Sequence, residues 1–93
     1  MAQKETNTLS ASTVQTVTLT GGATRAVEIV HHGNVTNPIF VRTDGVNPAI
    51  DGDDCDVVLA GERVQFGAGL RGSNPEIRLI SVGLATYTVS RML

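Results

Sequence analysis

The densest set of potential ligands in this 93-residue chain is Asp51, Asp53, Asp54 and Asp56, in the run Asp-Gly-Asp-Asp-Cys-Asp. A hard cation such as Ca²⁺ takes about six to eight oxygens, which loop carboxylates and carbonyls can supply. The spacing lacks the order of an EF-hand, with no Gly at the required place and no closing bidentate Glu. Asp and Gly also make ordinary turns, because both tolerate unusual dihedrals. The turn is the first reading and a Ca²⁺ loop the second. His31-His32 is the next candidate, but neighbours on a strand point to opposite faces. Without a bulge the pair cannot chelate one ion. Zn²⁺ needs three or four ligands, and the chain has no other His and a single Cys, Cys55. The histidines read as polar residues at a strand end, with a pH-sensitive subunit contact as the alternative.

Nucleophilic catalysis needs a nucleophile, a base and an orienting group. Ser, His and Asp all occur, but no Gly-x-Ser-x-Gly elbow marks any of them. Gly67-x-Gly69-x-x-Gly72 has the dinucleotide-binding spacing. That spacing carries meaning only between a strand and a helix, and here Pro75 and another strand segment follow. The glycines read as a connecting loop. The expectation is a protein that is not an enzyme, with no catalytic residue, no cofactor and no metal.

Six Arg stand against one Lys. Arg suits interfaces because its planar fork makes directional pairs, and Arg42, Arg63, Arg71 and Arg78 are the candidates for interface pairing. Codon bias in a GC-rich genome explains the same excess equally well. The arginines are scattered and the aromatics few, against the interleaving that single-stranded nucleic acid requires. A net charge of −2 gives no general field for nucleic acid or an anionic membrane. No run of about 18 apolar residues suggests a membrane span, and residues 1–12 have no apolar signal-peptide core.

The elements that would position these residues are strands. Short runs of Val, Ile and Thr recur, each closed by Gly, Asp-Gly or Asn-Pro, as in Ile39-Phe40-Val41-Arg42-Thr43 before Asp44-Gly45. Strand patterns cover Thr13–Leu19, Thr24–His32, Ile39–Thr43, Cys55–Leu59, Arg63–Phe66, Glu76–Val82 and Leu84–Met92. Between them, 44–54 and 67–74 read as loops. No window sustains helical periodicity. The predicted fold is all-β: one small antiparallel β-sandwich or jelly-roll-like barrel of about seven to eight strands over residues 13–93. Residues 1–12 (MAQKETNTLSAS) read as a flexible N-terminal arm, or as an ordinary frayed terminus. With no Trp, one Tyr and two Phe, the core lacks most of the usual large contributors. A lone Cys allows no internal disulfide. The remaining remedy for so small a core is assembly with neighbours.

Val27-Glu28-Ile29-Val30 and the Ile39–Gly45 run resemble small β-sandwich virion proteins of tailed phages. So do Pro48 with the Asp51-Gly52-Asp53-Asp54 loop, Leu59-Ala60-Gly61-Glu62, Ile77-Arg78-Leu79-Ile80-Ser81 and Ala85-Thr86-Tyr87-Thr88-Val89. The resemblance covers roughly residues 25 to 91. It implies a capsid decoration, or cement, protein on the outer surface of the virion. Such a protein is made in the host cytoplasm, forms a homo-oligomer with a trimer favoured, and binds the major capsid protein or other virion proteins, often through an N-terminal arm. A head–tail connector, tail or fibre-base component is the alternative. A Ca-dependent glycan-binding β module is a further one, motivated by the acidic loop.

Overall fold

The structure, a computed structural model, describes residues 4–18, 26–66 and 76–92. Eight strands run in order: β1 (Lys4–Leu9), β2 (Gln15–Thr18), β3 (Ala26–His31), β4 (Ile39–Arg42), β5 (Asp56–Val58), β6 (Arg63–Phe66), β7 (Glu76–Ile80) and β8 (Ala85–Met92). They form two four-stranded antiparallel sheets, β1-β8-β3-β6 and β2-β7-β4-β5. Apart from the β4–β5 pair, consecutive strands are not neighbours in a sheet, and the chain crosses repeatedly between layers. This double Greek-key order is that of the eight-stranded jelly roll.

Alternation builds the core. Val27 and Ile29 on β3, Ile77 and Leu79 on β7, and Ala85, Tyr87 and Val89 on β8 all point inward and are fully buried. Their spacing of two residues is the strand period that puts one side of each strand against the opposite sheet. Leu9, Val17, Ile39, Val41, Val58 and Phe66 complete the layer between the sheets. The Tyr87 hydroxyl is satisfied across this layer: it donates to Gln15 Oε1, tying β8 of one sheet to β2 of the other.

The strands expected from 13 onward are present with their ends drawn in by a residue or two, and β6 has the expected bounds. Leu19, Thr24 and the 67–74 loop lie outside the described residues. The expected arm is corrected. Residues 4–9 are not an arm but β1, paired antiparallel along β8 from Lys4 opposite Ser90 to Leu9 opposite Ala85. Leu9 is fully buried. Alternation in Lys-Glu-Thr-Asn-Thr-Leu carries a single apolar residue, so the pattern that marks a half-buried strand is missing. Its place in the sheet depends on β8, which pairs with it from the far end of the chain. Met1–Gln3 lie outside the described residues.

The turns follow local chemistry. Glu62 N–H donates to Leu59 O at 2.9 Å, closing the β5–β6 connection. Gly61 at its third position has φ +78°, the left-handed conformation that a type II turn requires there. Asp44 begins the turn after β4, its Oδ1 accepting from Val46 N–H at 3.2 Å.

Candidate interaction surface

Arg42 is the last residue of β4 and faces outward from its sheet. Its guanidinium grips Asp44 in a two-pronged pair, Nε donating to Oδ1 at 3.1 Å and Nη2 to Oδ2 at 2.5 Å. Asp54 adds a looser contact to Nη1 at 3.8 Å. The hydrogen bond from Arg42 holds the Asp44 carboxyl down at about 2, against an opposing desolvation, and the same bond raises Arg42. Arg78 on β7 lies directly opposite Arg42 in the ladder. Two cations side by side repel, and each has its own carboxylate. Arg78 donates to Glu76 Oε1 at 2.6 Å and, through Nη1, to Asn47 Oδ1 at 2.7 Å.

The four candidate arginines do not form one site. Arg42 and Arg78 share the outer face of the β2-β7-β4-β5 sheet. Arg63 sits on β6 in the other sheet, 3.4 Å from Glu28 and largely exposed. Arg71 lies outside the described residues. Asp51, Asp53, Asp54 and Asp56 are all exposed. Gly52 N–H donates to Ala49 O, and Cys55 N–H to Gly52 O, so the segment is a succession of tight turns. Asp51 adopts φ 57° within it. Among the described residues, no three His, Cys, Asp or Glu side chains come together as a metal site.

His31 and His32 do point to opposite sides, but His31 is no ordinary strand-end polar residue. It is 1% exposed. Gly33 N–H donates to its Nδ1 at 3.0 Å, and its Nε2 lies 2.7 Å from Asn37 O. A carbonyl only accepts, so these partners fix the Nε2–H tautomer. His31 thus staples the β3–β4 connection. His32 is exposed, with Nε2 2.6 Å from Thr88 Oγ1, itself 2.8 Å from Thr6 Oγ1. Thr8 and Thr86 hydroxyls pair alongside at 2.9 Å. The outer face of the β1-β8-β3-β6 sheet thus carries a hydroxyl-rich strip across its β1–β8 seam.

The feature that sequence reasoning missed is apolar. Phe40 and Ile80 are buried, yet they face away from the core, on the outer side of the β2-β7-β4-β5 sheet. The ladder sets Phe40 opposite both Ile80 and Val57, a row across three strands. Alternation from Gln15 inward puts Val14 at the β2 end of that row. Continuing the same register places Pro38 between Val82 and Leu59 in a second row, and the bond from Ser81 Oγ to Pro38 O at 2.8 Å holds this edge together. Val57, Leu59 and Val82 are 40%, 54% and 47% exposed. This face is therefore apolar at one end and carries the Arg42–Asp44 and Arg78–Glu76 pairs at the other. The signal was present in Ile39-Phe40-Val41 and Val57-Val58-Leu59, where apolar residues occupy both faces of a strand rather than one.

No protein-family model matches the chain, and no curated protein matches it. Among solved structures, it is similar to a de novo designed double-stranded β-helix determined by solution NMR. The TM-score is 0.63 with 18% identity, over 98% of this chain and 100% of that one. The chain therefore has the fold of a small double-stranded β-helix, the same two-layer arrangement that the strand order describes.

Proposed function

We propose that this chain is a non-enzymatic structural protein of a tailed-phage particle, a capsid decoration protein that binds the outer shell and stabilises it. The observation that carries the reading is the uncovered apolar end of the β2-β7-β4-β5 sheet, on a domain of 93 residues whose single Cys is free. A small core gains stability from neighbours, and a solvent-facing sheet side has no use for Val57, Leu59 and Val82 unless something covers them. The mechanism is burial of surface. An ordinary specific interface covers about 1,600 Å² in total, and repetition over a shell multiplies each modest contact by avidity. With residues 4–9 in the sheet, the contacts belong to faces of the folded domain rather than to a free arm.

The test is quantitative mass spectrometry of purified particles, with add-back of the protein to particles lacking it. The expected result is a copy number that scales with the major shell protein, together with recovered heat resistance. One ring of copies per particle would assign the chain to a connector, tail or fibre base instead. Absence from the particle, with no binding on add-back, would overturn the reading.

A further inference from the structure

We propose, resting on the decoration reading, that the chain stands end-on in an uncharged recess of the shell protein. The end that enters is the one carrying the four short connections between the sheets. These are residues 10–14, 32–38, 59–62 and 81–84, and the strand register puts all four at the same end. Glu62 is the only Asp, Glu, Lys or Arg among them, and its Oε1 is turned back onto Leu59 N–H at 3.1 Å. The β4–β5 connection at the opposite end carries Asp44, Asp51, Asp53 and Asp54. Charge is thus segregated along the molecule. Depletion of charge, more than apolarity in bulk, distinguishes the centre of a protein interface. An end without Lys or Arg gives no hold to nucleic acid or an anionic membrane, and the partner that fits it is itself an uncharged protein surface.

Apolar side chains lie on both flanks of this end. Leu59 and Val82 belong to the outer side of the β2-β7-β4-β5 sheet. Alternation from the inward Ala85 puts Leu84, 59% exposed, on the outer side of the other sheet. The end is also held in shape before any partner arrives. Ser12 N–H donates to Ser81 O at 2.8 Å and His31 N–H to Glu62 O at 2.9 Å. Asn37 Nδ2 donates to Leu84 O at 3.1 Å, and Thr86 N–H to Asn34 Oδ1 at 3.2 Å. Such pre-organisation removes the ordering cost that mobile loops incur on binding. Area argues for a recess and against a second copy. The eight residues of β8 span about 27 Å, so the longest of the 33 × 24 × 18 Å extents follows the strands. The two shorter extents give the end a cross-section of roughly 400 Å², about half the area per partner of a standard interface. Two copies meeting tip to tip therefore fall short of a stable pair. A recess reaches past the tip to Leu59 and Val82 on one flank and Leu84 on the other.

The experiment is add-back of the full chain to particles lacking it, with affinity read by co-sedimentation across about 0.05–0.5 M salt. Val82→Asp and Leu84→Asp are compared with Asp53→Lys at the far end and Gln65→Lys on β6, with circular dichroism to confirm folding. Val82 and Leu84 are already half exposed, so the folded chain tolerates carboxylates there. Both aspartates are expected to weaken binding about tenfold or more, while both lysine controls bind as the wild type does. Salt is expected to change wild-type affinity by less than about twofold. Full binding by Leu84→Asp, loss of binding in Asp53→Lys, or affinity that falls steeply with salt overturns the inference and leaves the decoration reading standing. A wild type that does not bind particles at all ends the decoration reading and the inference with it. The free protein is followed in parallel by sedimentation equilibrium and against uncharged phosphatidylcholine vesicles. Self-association or vesicle binding that Leu84→Asp abolishes would give this end to a second copy or to a lipid surface, and would overturn the inference too.

Discussion

His31 shows how much a single side chain does in a domain of this size. The ring is buried, with one nitrogen receiving Gly33 N–H and the other donating to Asn37 O. Replacing it by Leu keeps the volume but leaves both backbone groups without their partner. His31→Leu is expected to cost about 2 kcal/mol, read as a melting temperature lower by roughly 8–16 °C for a domain of this length. An unchanged melting temperature would show that the ring is only filler. Asp44 makes a different prediction. Its carboxyl lies at about 2 against an ordinary 3.8, chiefly because Arg42 hydrogen-bonds it. A carboxylate depressed in the folded state contributes stability that is complete above its unfolded value and disappears as pH falls through the folded one. Asp44→Asn should therefore lower the melting temperature at neutral pH and flatten its fall between about pH 4 and pH 2. Parallel wild-type and variant curves over that window would mean that the pair contributes nothing to folding.

At the scale of elements, β1 separates two pictures of the N-terminus. A mobile arm can be cut away without loss of stability, but an edge strand with a buried anchor cannot. Leu9 is fully enclosed, at the point where β1 meets Ala85 of β8. Leu9→Ala is expected to cost about 3 kcal/mol, within the range for a buried Leu truncation, and removal of residues 1–9 should cost more. Chemical denaturation of both variants checks this, and a truncated chain as stable as the full one would restore the arm. β4 carries the opposite lesson. Its burial on both faces (Ile39, Phe40 and Val41) was legible as three consecutive apolar residues, though which residues cover the outer side depended on β5 and β7 lying on either flank. The acidic segment was legible as a turn for the reason that made it a weak metal candidate: short loop carboxylates point outward unless other elements gather them.

The whole molecule folds by joining its ends. β1 pairs with β8 and β8 with β3, so the first sheet closes only when the last strand has been placed. Topologies dominated by such distant pairings fold slowly, in milliseconds to seconds. Tyr87 is the single Tyr in a chain without Trp, and it is buried at the centre of that sheet, which makes its fluorescence a direct report on closure. Stopped-flow refolding followed at Tyr87 is expected to take longer than about 1 ms. If β1, an edge strand, docks after the nucleus has formed, Leu9→Ala should mainly accelerate unfolding. Submillisecond refolding, or a Leu9→Ala variant that loses stability entirely through slower folding, would place β1 early instead.

By itself the sequence determined the local half of this protein. Alternation of Val, Ile and Thr placed seven of the eight strands, Gly and Asp placed the turns, and the inward sets on β3, β7 and β8 were readable from period two alone. These are properties of a few neighbouring residues, and the pleat imposes them directly. Tertiary structure decided what depends on partners distant in the chain. β1 is a strand because β8 offers it an edge, and His31 is buried because the β3–β4 connection folds over it. Phe40, Ile80 and Val57 become a surface only when three strands from separate parts of the chain are set in register. Arg42, Arg63 and Arg78 look equivalent in one dimension, but the crossing between sheets puts two on one face and one on the other. The crossing order follows from strand pairing, which turn residues locate but do not specify.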